Sequence, residues 1–235
     1  MSSQAQRSIV VTGAAGALGQ AVVRRFLAEG ARLALIDHDE ARLRQVFDGA
    51  ADAAALLPLA ADVTSESAMS DTAGRVAGRF GTVDAVVHVA GGFEMGELVH
   101  GLSRDAWDRM MNLNAWSFVA VSKAFVPAML REGRGKLVAV SARSAQSGQA
   151  ATAAYCASKS ALQRLVESLS QEVRRSGINV NSVAPTIMDT PANRQAMPDA
   201  DRSAWVSTDT AAQAISFLCS DAAAAVHGQH LLLGA

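Results

Sequence analysis

The sequence is short of several residue types whose scarcity limits what the protein can be. It contains two cysteines, Cys156 and Cys219, which are too few for a disulfide framework, so reduced thiols in a cytoplasmic protein are expected. No His, Cys and acidic residues recur at the spacing of metal ligands, so no metal site is predicted. Lysine plus arginine (21) nearly balance aspartate plus glutamate (22), which argues against nucleic acid or an anionic membrane as a partner.

Long apolar segments are also scarce. The opening residues MSSQAQRSIV lack the apolar stretch of a signal peptide, and no apolar run approaches the length of a membrane span. Half of the 235 residues are nevertheless hydrophobic, which is ample for a sizeable core. We therefore expect one domain that covers residues 1–235.

Short apolar runs alternate with longer segments of helical periodicity. Most of the runs are continuous, as in parallel strands that are buried on both faces. They occupy 8–12, 32–36, 56–63, 83–90, 136–141, 178–184 and 230–233. Pro58 places the third run at a sheet edge or a strand start. The pattern predicts an α/β protein: a single-domain Rossmann fold with a doubly wound parallel sheet of about seven strands.

Two further segments have special features. The segment 103–132 is predicted to be a long helix with Ser103 as its N-cap and a bend or irregularity at Pro127. The segment 186–207 has weak periodicity and is predicted to be a substrate loop, in which Trp205 would stack on a flat substrate.

A glycine-rich turn follows the first predicted strand. In VVTGAAGALGQAVV, Gly13, Gly16 and Gly19 lie between a strand and a helix. Glycines in this context let the backbone approach a pyrophosphate, and the exposed N–H groups at the helix start favour its charge. The turn therefore predicts a dinucleotide site.

An acidic residue ends the second predicted strand. Asp37 lies 18 residues after Gly19, close to the spacing of about 20 residues expected for an acid that binds the adenosine ribose. A carboxylate there repels a 2′-phosphate, so NAD(H) is preferred and NADP(H) is less favoured. Arg42 and Arg44 in the next helix would soften this preference.

The only tyrosine of the chain lies one helical turn before a lysine. Tyr155 and Lys159 in YCASK begin a segment of helical periodicity, so they share a face. A phenol beside an ammonium is suited to proton transfer to a carbonyl that accepts hydride, because the positive charge lowers the phenol pKa.

These motifs, in this order, resemble the short-chain dehydrogenase/reductase family over nearly the whole chain. The resemblance adds ADV (61–63), HVAGG (88–92), MMNLNAWSF around Asn114, and APTIMDT (184–190). It implies an NAD(P)-dependent oxidoreductase with a small-molecule substrate, assembled as a homodimer or homotetramer. Tyr155 would donate the proton, and Asn114 would support Lys159 through a water. The implied cofactor-binding residues are Gly13, Gly16, Leu18, Gly19, Asp37, Asp62, Val63, Ala90, Gly91, Tyr155, Lys159, Pro185, Met188 and Thr190.

One family residue is missing. The family's catalytic serine precedes the tyrosine by 13 residues, and this position holds Ala142. Ser141 and Ser144 flank it. Ser141 is expected to point to the opposite side of the strand and Ser144 to lie beyond the strand end, so ordinary strand-end hydroxyls are the favoured interpretation of both. His88, which replaces an asparagine of the family, is expected to be a core residue without a catalytic role.

The substrate is open at this stage. The segment 189–205 and the pair Gly91–Gly92 are similar to dihydropteridine reductases, a branch of the family that also lacks the serine. This favours an imine-type substrate such as a quinonoid pterin. The alternatives are a generic ketone or secondary-alcohol reductase of the 3-oxoacyl type, and a protein that binds NAD(H) without turnover.

Overall fold

A seven-stranded parallel sheet organises the chain, as predicted. The computed structural model describes residues 6–47 and 53–234. The main strands are β1 (Ser8–Thr12), β2 (Arg32–Asp37), β3 (Leu56–Ala60), β4 (Ala85–His88), β5 (Gly135–Val140), β6 (Ile178–Pro185) and β9 (His230–Leu233), with two short strands, β7 (Met188–Asp189) and β8 (Val206–Ser207). The sheet order is β3-β2-β1-β4-β5-β6-β9. The order reverses between β1 and β4, and ligands of such sheets bind at the carboxyl ends of the strands beside this point.

Eight α-helices accompany the strands in the described residues. They are α1 (Ala17–Ala28), α2 (Glu40–Phe47), α3 (Glu66–Phe80), α4 (Arg104–Met111), α5 (Ser117–Glu132), α6 (Ala153–Val173), α7 (Pro191–Ala196) and α8 (Thr208–Leu218). Successive strand residues point to opposite faces of the sheet, so Val11 and Val10 belong to different cores. The core of one face includes residues of α1 and α8, and that of the other includes residues of α3, α5 and α6. Burial on both faces explains why the strands are continuously apolar.

The strand with Pro58 lies at the edge of the sheet, as predicted, and it ends at Ala60 rather than at residue 63. It pairs with β2 alone, and Pro58 stands opposite Leu35. A proline removes one N–H donor from the ladder, which an edge strand tolerates because it has a neighbour on one side only.

The long helix predicted over 103–132 is irregular at a different place from the one expected. Ser103 caps it by accepting a hydrogen bond from Ala106 N at 3.2 Å, and Pro127 lies within α5. The irregularity is a π turn over Asn112–Trp116, between α4 and α5. Among the described helices, the continuous stretch Arg104–Glu132 is the one long and apolar enough to cross a membrane, although half of its most apolar window is buried as in a core helix.

The segment 186–207 is more regular than a loop. Met188 in β7 pairs with Val206 in β8, and α7 lies between these two strands. Arg194 binds both carboxylate oxygens of Asp189, at 2.5 and 2.7 Å. The Trp205 ring, predicted to stack on a flat substrate, has the Arg202 guanidinium over it at 5.7 Å.

Candidate active site

The glycine turn between β1 and α1 is closely packed. Gly13 has a φ of +64°, and a Cβ at this position would lie 2.8 Å from Ala90 N. A Cβ on Gly19 would lie 2.1 Å from Gly13 O, so only glycine allows α1 to approach the turn this closely. Gly16 N donates to Gly13 O at 3.1 Å and closes the turn. These contacts make the turn a tight backbone cradle at the start of α1, and a helix N-terminus suits a pyrophosphate.

Asp37 ends β2 beside this turn. Its Oδ2 accepts a hydrogen bond from Ala15 N at 3.0 Å, and its Oδ1 lies 3.0 Å from His38 Nδ1. The carboxylate is therefore held at the glycine turn, where a ribose next to the pyrophosphate would meet it.

The ends of β3 and β4 complete the predicted cofactor side. Asp62 Oδ1 accepts hydrogen bonds from the backbone N and the hydroxyl of Thr64, both at 2.8 Å, and Val63 is buried. Ala90 N donates to Thr12 Oγ1 at 3.2 Å, which ties the end of β4 to the glycine turn.

His88 is the centre of a buried chain of hydrogen bonds, in which each group accepts from the one before it and donates to the next. Its Nδ1 lies 2.9 Å from Thr12 Oγ1 and its Nε2 lies 3.0 Å from Ser117 Oγ. Ser117 donates its own hydroxyl proton to Leu113 O at 2.6 Å, so it accepts from Nε2–H, and Nδ1 accepts from Thr12. Burial, and then the charge of Lys159, lower the pKa of His88 to about 3, so the ring is neutral. His88 is a core residue, as expected, but it also links the glycine turn to the π turn.

Asn114 lies in that π turn and is fully bonded. Its Oδ1 accepts from Gly92 N at 2.9 Å, and its Nδ2 donates to Gly92 O and to Ser158 Oγ, both at 3.0 Å. A Cβ on Gly91 would lie 2.8 Å from Asn114 Oδ1 and 3.0 Å from Lys159 Nζ. The Asn114 amide and the Lys159 ammonium therefore both lie next to Gly91.

Lys159 is buried on α6 and donates to Val140 O at 2.9 Å. Burial lowers the pKa of its ammonium to about 8, because the charged form loses solvation. At neutral pH the group is still mainly protonated, and it loses its charge as the pH rises through about 8.

Tyr155 lies one turn earlier on the same helix and is partly buried. Its ring packs edge-on against Phe93, with the ring centroids 4.9 Å apart. Burial raises the pKa of the phenol, and a hydrogen bond with the Ser144 hydroxyl opposes this rise. The phenol is therefore protonated at neutral pH and is available as a proton donor.

The tuning of Tyr155 by the Lys159 charge stays a prediction, because the ammonium has another partner in this structure. The ammonium is directed to Val140 O, and its charge lowers the pKa of His88. The group that lowers the pKa of Tyr155 is Ser144. Ser144, expected to be an ordinary strand-end hydroxyl, is hydrogen-bonded to Tyr155, whereas Ser141 Oγ donates to Lys159 O at 3.4 Å.

The other predicted cofactor residues occupy varied places. Leu18 is a buried residue of α1, and Pro185 ends β6 at the carboxyl edge of the sheet. Met188 is in β7, and the Thr190 hydroxyl accepts from Asn193 N at 3.2 Å as the N-cap of α7. The Thr190 side chain thus stabilises the start of α7.

Sequence reasoning missed three residues of the site. They are Thr12, which bonds His88 and Ala90 N, Phe93, which packs on Tyr155, and Ser158, which accepts from Asn114. The signal for Phe93 was its place directly after HVAGG, and that for Ser158 its place directly before the lysine. The described residues contain no group of three or more His, Cys, Asp or Glu side chains able to hold a metal ion.

Comparison with known proteins assigns the chain. Residues 7–201 match the sequence model of the family described as short chain dehydrogenase. The chain belongs to the short-chain dehydrogenase family. It is thus an NAD(P)-dependent oxidoreductase by family, and the glycine cradle, Asp37 and Lys159 fit the dinucleotide that the family implies.

Relatives of this short-chain dehydrogenase cover most of its length. Cis-4-hydroxycyclohexanecarboxylate dehydrogenase of Sinomonas cyclohexanicum is 33% identical over 242 aligned positions, covering 95% of this chain and 93% of that protein. Sorbitol dehydrogenase of Cereibacter sphaeroides is 29% identical over 184 residues, covering 78% of this chain and 71% of that protein. The crystal structure of gox2181 matches with a TM-score of 0.91 at 26% identity, covering 97% of this chain and 94% of that one.

Proposed function

We propose that this protein interconverts a secondary alcohol and its ketone with NAD(H) as the cofactor. The observation that carries the proposal is the phenol of Tyr155, protonated and hydrogen-bonded to Ser144, on the helix that also carries Lys159. This arrangement offers a proton to a carbonyl oxygen and holds a charge one helical turn away.

The residues divide between holding the cofactor and moving the proton. The glycine turn would hold the pyrophosphate, Asp37 the adenosine ribose, and Lys159 the nicotinamide ribose. When bound, the nicotinamide supplies or accepts the hydride. Tyr155 gives its proton to the carbonyl oxygen in reduction and takes a proton from the hydroxyl in oxidation.

The surroundings of Tyr155 favour a substrate with an apolar body. Phe93 packs on Tyr155 and is 62% exposed, and Met95, two residues further on, is 64% exposed. Apolar side chains that face solvent beside a reactive group suit a hydrocarbon ring better than a polyol. The 33% identical relative is named for a hydroxylated cyclohexane carboxylate, which belongs to this chemical class.

A quinonoid dihydropterin is the second candidate. Ala142 in place of the family serine supports it. The hydrogen bond between Ser144 and Tyr155 weakens it, because a hydroxyl is present beside the phenol after all.

The test is a panel of substrates followed by NADH absorbance. It contains hydroxycyclohexane carboxylates with NAD⁺, and the matching cyclic ketones, linear ketones, polyol-derived ketoses and quinonoid dihydropterin with NADH. We expect the highest kcat/KM with the cyclic alcohols and ketones. Turnover of the pterin alone would favour the second candidate, and tight NADH binding without any turnover would favour a sensor.

Asp37 provides a prediction about the cofactor. In Asp37→Asn the shape and the bond from Ala15 N are kept but the charge is lost, so a 2′-phosphate is no longer repelled. Since a hydrogen bond to a charged group contributes about 1.5–3 kcal/mol, we expect NADH affinity to fall by about 10-fold or more and the preference for NADH over NADPH to narrow. Fluorescence titration with both cofactors measures this.

Asp39→Asn is the matched control. The Asp39 carboxylate is two residues away and accepts a hydrogen bond from Arg42 N at 3.0 Å. Both cofactor affinities should stay at wild-type values in this variant. An unchanged NADH to NADPH ratio in Asp37→Asn would refute the ribose role.

A further inference from the structure

We propose that Ser144 is a catalytic residue that donates its hydroxyl hydrogen bond to the substrate oxygen beside Tyr155, from a position two residues after the one the family uses. The proposal rests on the proposed function, since it concerns the same reacting oxygen. Its basis is the contact between the Ser144 hydroxyl and the Tyr155 phenol, at the site where Ala142 has no hydroxyl to offer.

The backbone after β5 explains how Ser144 reaches this place. The strand ends at Val140, and Arg143–Gln146 form a 3₁₀ turn. Residues rise about 3.3 Å each in a parallel strand but about 2.0 Å each in a 3₁₀ helix. The turn therefore keeps Ser144 near the level of Ala142, whereas a continued strand would carry it beyond the site.

The turn is anchored to the helix that carries the phenol. Ala145 N donates to Ala142 O at 3.0 Å and closes the turn. Ser160 Oγ, on α6, donates to Ala145 O at 2.6 Å. The backbone on both sides of Ser144 is therefore held next to α6, the helix that carries Tyr155.

Neighbouring polar groups are engaged elsewhere. Ser141 Oγ is directed to Lys159 O, and Ser158 Oγ donates to Tyr155 O at 2.8 Å. The Asn114 amide donates to Gly92 O and to Ser158. These groups have other partners, whereas the Ser144 hydroxyl is hydrogen-bonded to the phenol.

The chemistry needs two donors at one oxygen. A carbonyl oxygen bonded to the Tyr155 hydroxyl lies within reach of the Ser144 hydroxyl, because these two hydroxyls are hydrogen-bonded to each other. As hydride arrives at the carbonyl carbon, negative charge develops on the oxygen, and both donors stabilise it. Tyr155 transfers its proton to that oxygen, while Ser144 keeps its own proton and only donates a hydrogen bond.

The first test is Ser144→Ala. Since loss of one oxyanion donor costs about 10²–10³-fold in kcat, we expect kcat to fall by about 10²-fold with little change in KM. The affinity for NADH, measured by fluorescence, should be unchanged, because Ser144 is assigned to the substrate and not to the cofactor. Ser147→Ala, an exposed serine just after the turn, is the matched control and should keep wild-type kcat.

Two variants separate a catalytic from a structural role. Ser144→Thr keeps a hydroxyl at the site, and Ala142→Ser combined with Ser144→Ala returns one to the family position. We expect at least one of them to regain kcat to within about tenfold of wild type, as recovery of an oxyanion donor requires. If both remain as slow as Ser144→Ala, the hydroxyl is not what matters and the proposal is overturned.

The failure of this proposal is distinguishable from that of the proposed function. If wild type turns over the cyclic substrate, Tyr155→Phe does not, and Ser144→Ala equals wild type, then only the role of Ser144 is lost. If wild type turns over no member of the panel, the proposed function and the role of Ser144 are both overturned.

Discussion

Tyr155→Phe is expected to lower kcat for the cyclic ketone by about 10²–10⁴-fold, the range that general acid catalysis supplies. The phenol is the donor because burial keeps it protonated at neutral pH, and because its hydroxyl is hydrogen-bonded to Ser144, the proposed second donor. Phenylalanine keeps the edge-on packing with Phe93, whose centroid lies 4.9 Å from that of Tyr155. The fold should therefore be that of wild type.

The pH dependence gives an independent check of this role. Oxidation of an alcohol needs the phenolate as base, and burial raises the pKa of Tyr155, so oxidation should speed up as the pH rises through the alkaline range. Lys159 loses its charge as the pH rises through about 8. Its proposed contact with the nicotinamide ribose should therefore weaken over the same pH range. A Tyr155→Phe enzyme that keeps more than a tenth of wild-type kcat would show that the proton comes from another group.

Gly19→Ala is expected to have the second largest effect, on cofactor binding and on stability together. The new Cβ would lie 2.1 Å from Gly13 O and 2.8 Å from Ala14 Cα, both backbone atoms of the glycine turn. Neither atom can move without shifting the backbone of the glycine turn. Overpacking of this kind costs about 1–3 kcal/mol or more, and we expect NADH affinity to fall by at least tenfold.

Gly74→Ala is the matched control for the added methyl group. Gly74 lies inside α3, and a Cβ there meets nothing within 4 Å. Because alanine is about 1 kcal/mol better than glycine in a helix interior, this variant should unfold at a slightly higher temperature and bind NADH as wild type does. If Gly19→Ala behaved like Gly74→Ala, the glycine turn would not be the tight cradle that the structure describes.

Much of the fold follows from local patterns in the sequence. Continuous apolar runs identified all seven strands of the sheet, and Pro58 identified β3 as an edge strand. Gly13, Gly16 and Gly19 identified the strand–turn–helix unit, because a Cβ at these positions would lie too close to neighbouring backbone atoms. The helical spacing of Tyr155 and Lys159 correctly placed both on α6.

The parts of the site that depend on irregular backbone were not predictable. The π turn at Asn112–Trp116 spans five residues, and such single-turn insertions have no residue pattern of their own. The 3₁₀ turn that returns Ser144 to the site is also too short to have a sequence pattern. The direction of the Lys159 ammonium, toward Val140 O rather than toward the phenol, depends on tertiary burial.

The scarcity of tyrosine has a practical consequence. Tyr155 is the only tyrosine among 235 residues, so it is also the only phenol in the protein. The near-ultraviolet band that appears when a phenol ionises therefore comes from the proposed proton donor alone, with Tyr155→Phe as a blank. An absorbance titration of the unlabelled protein reads the ionisation of this one group directly, and it can be repeated with each ligand bound and in each serine variant.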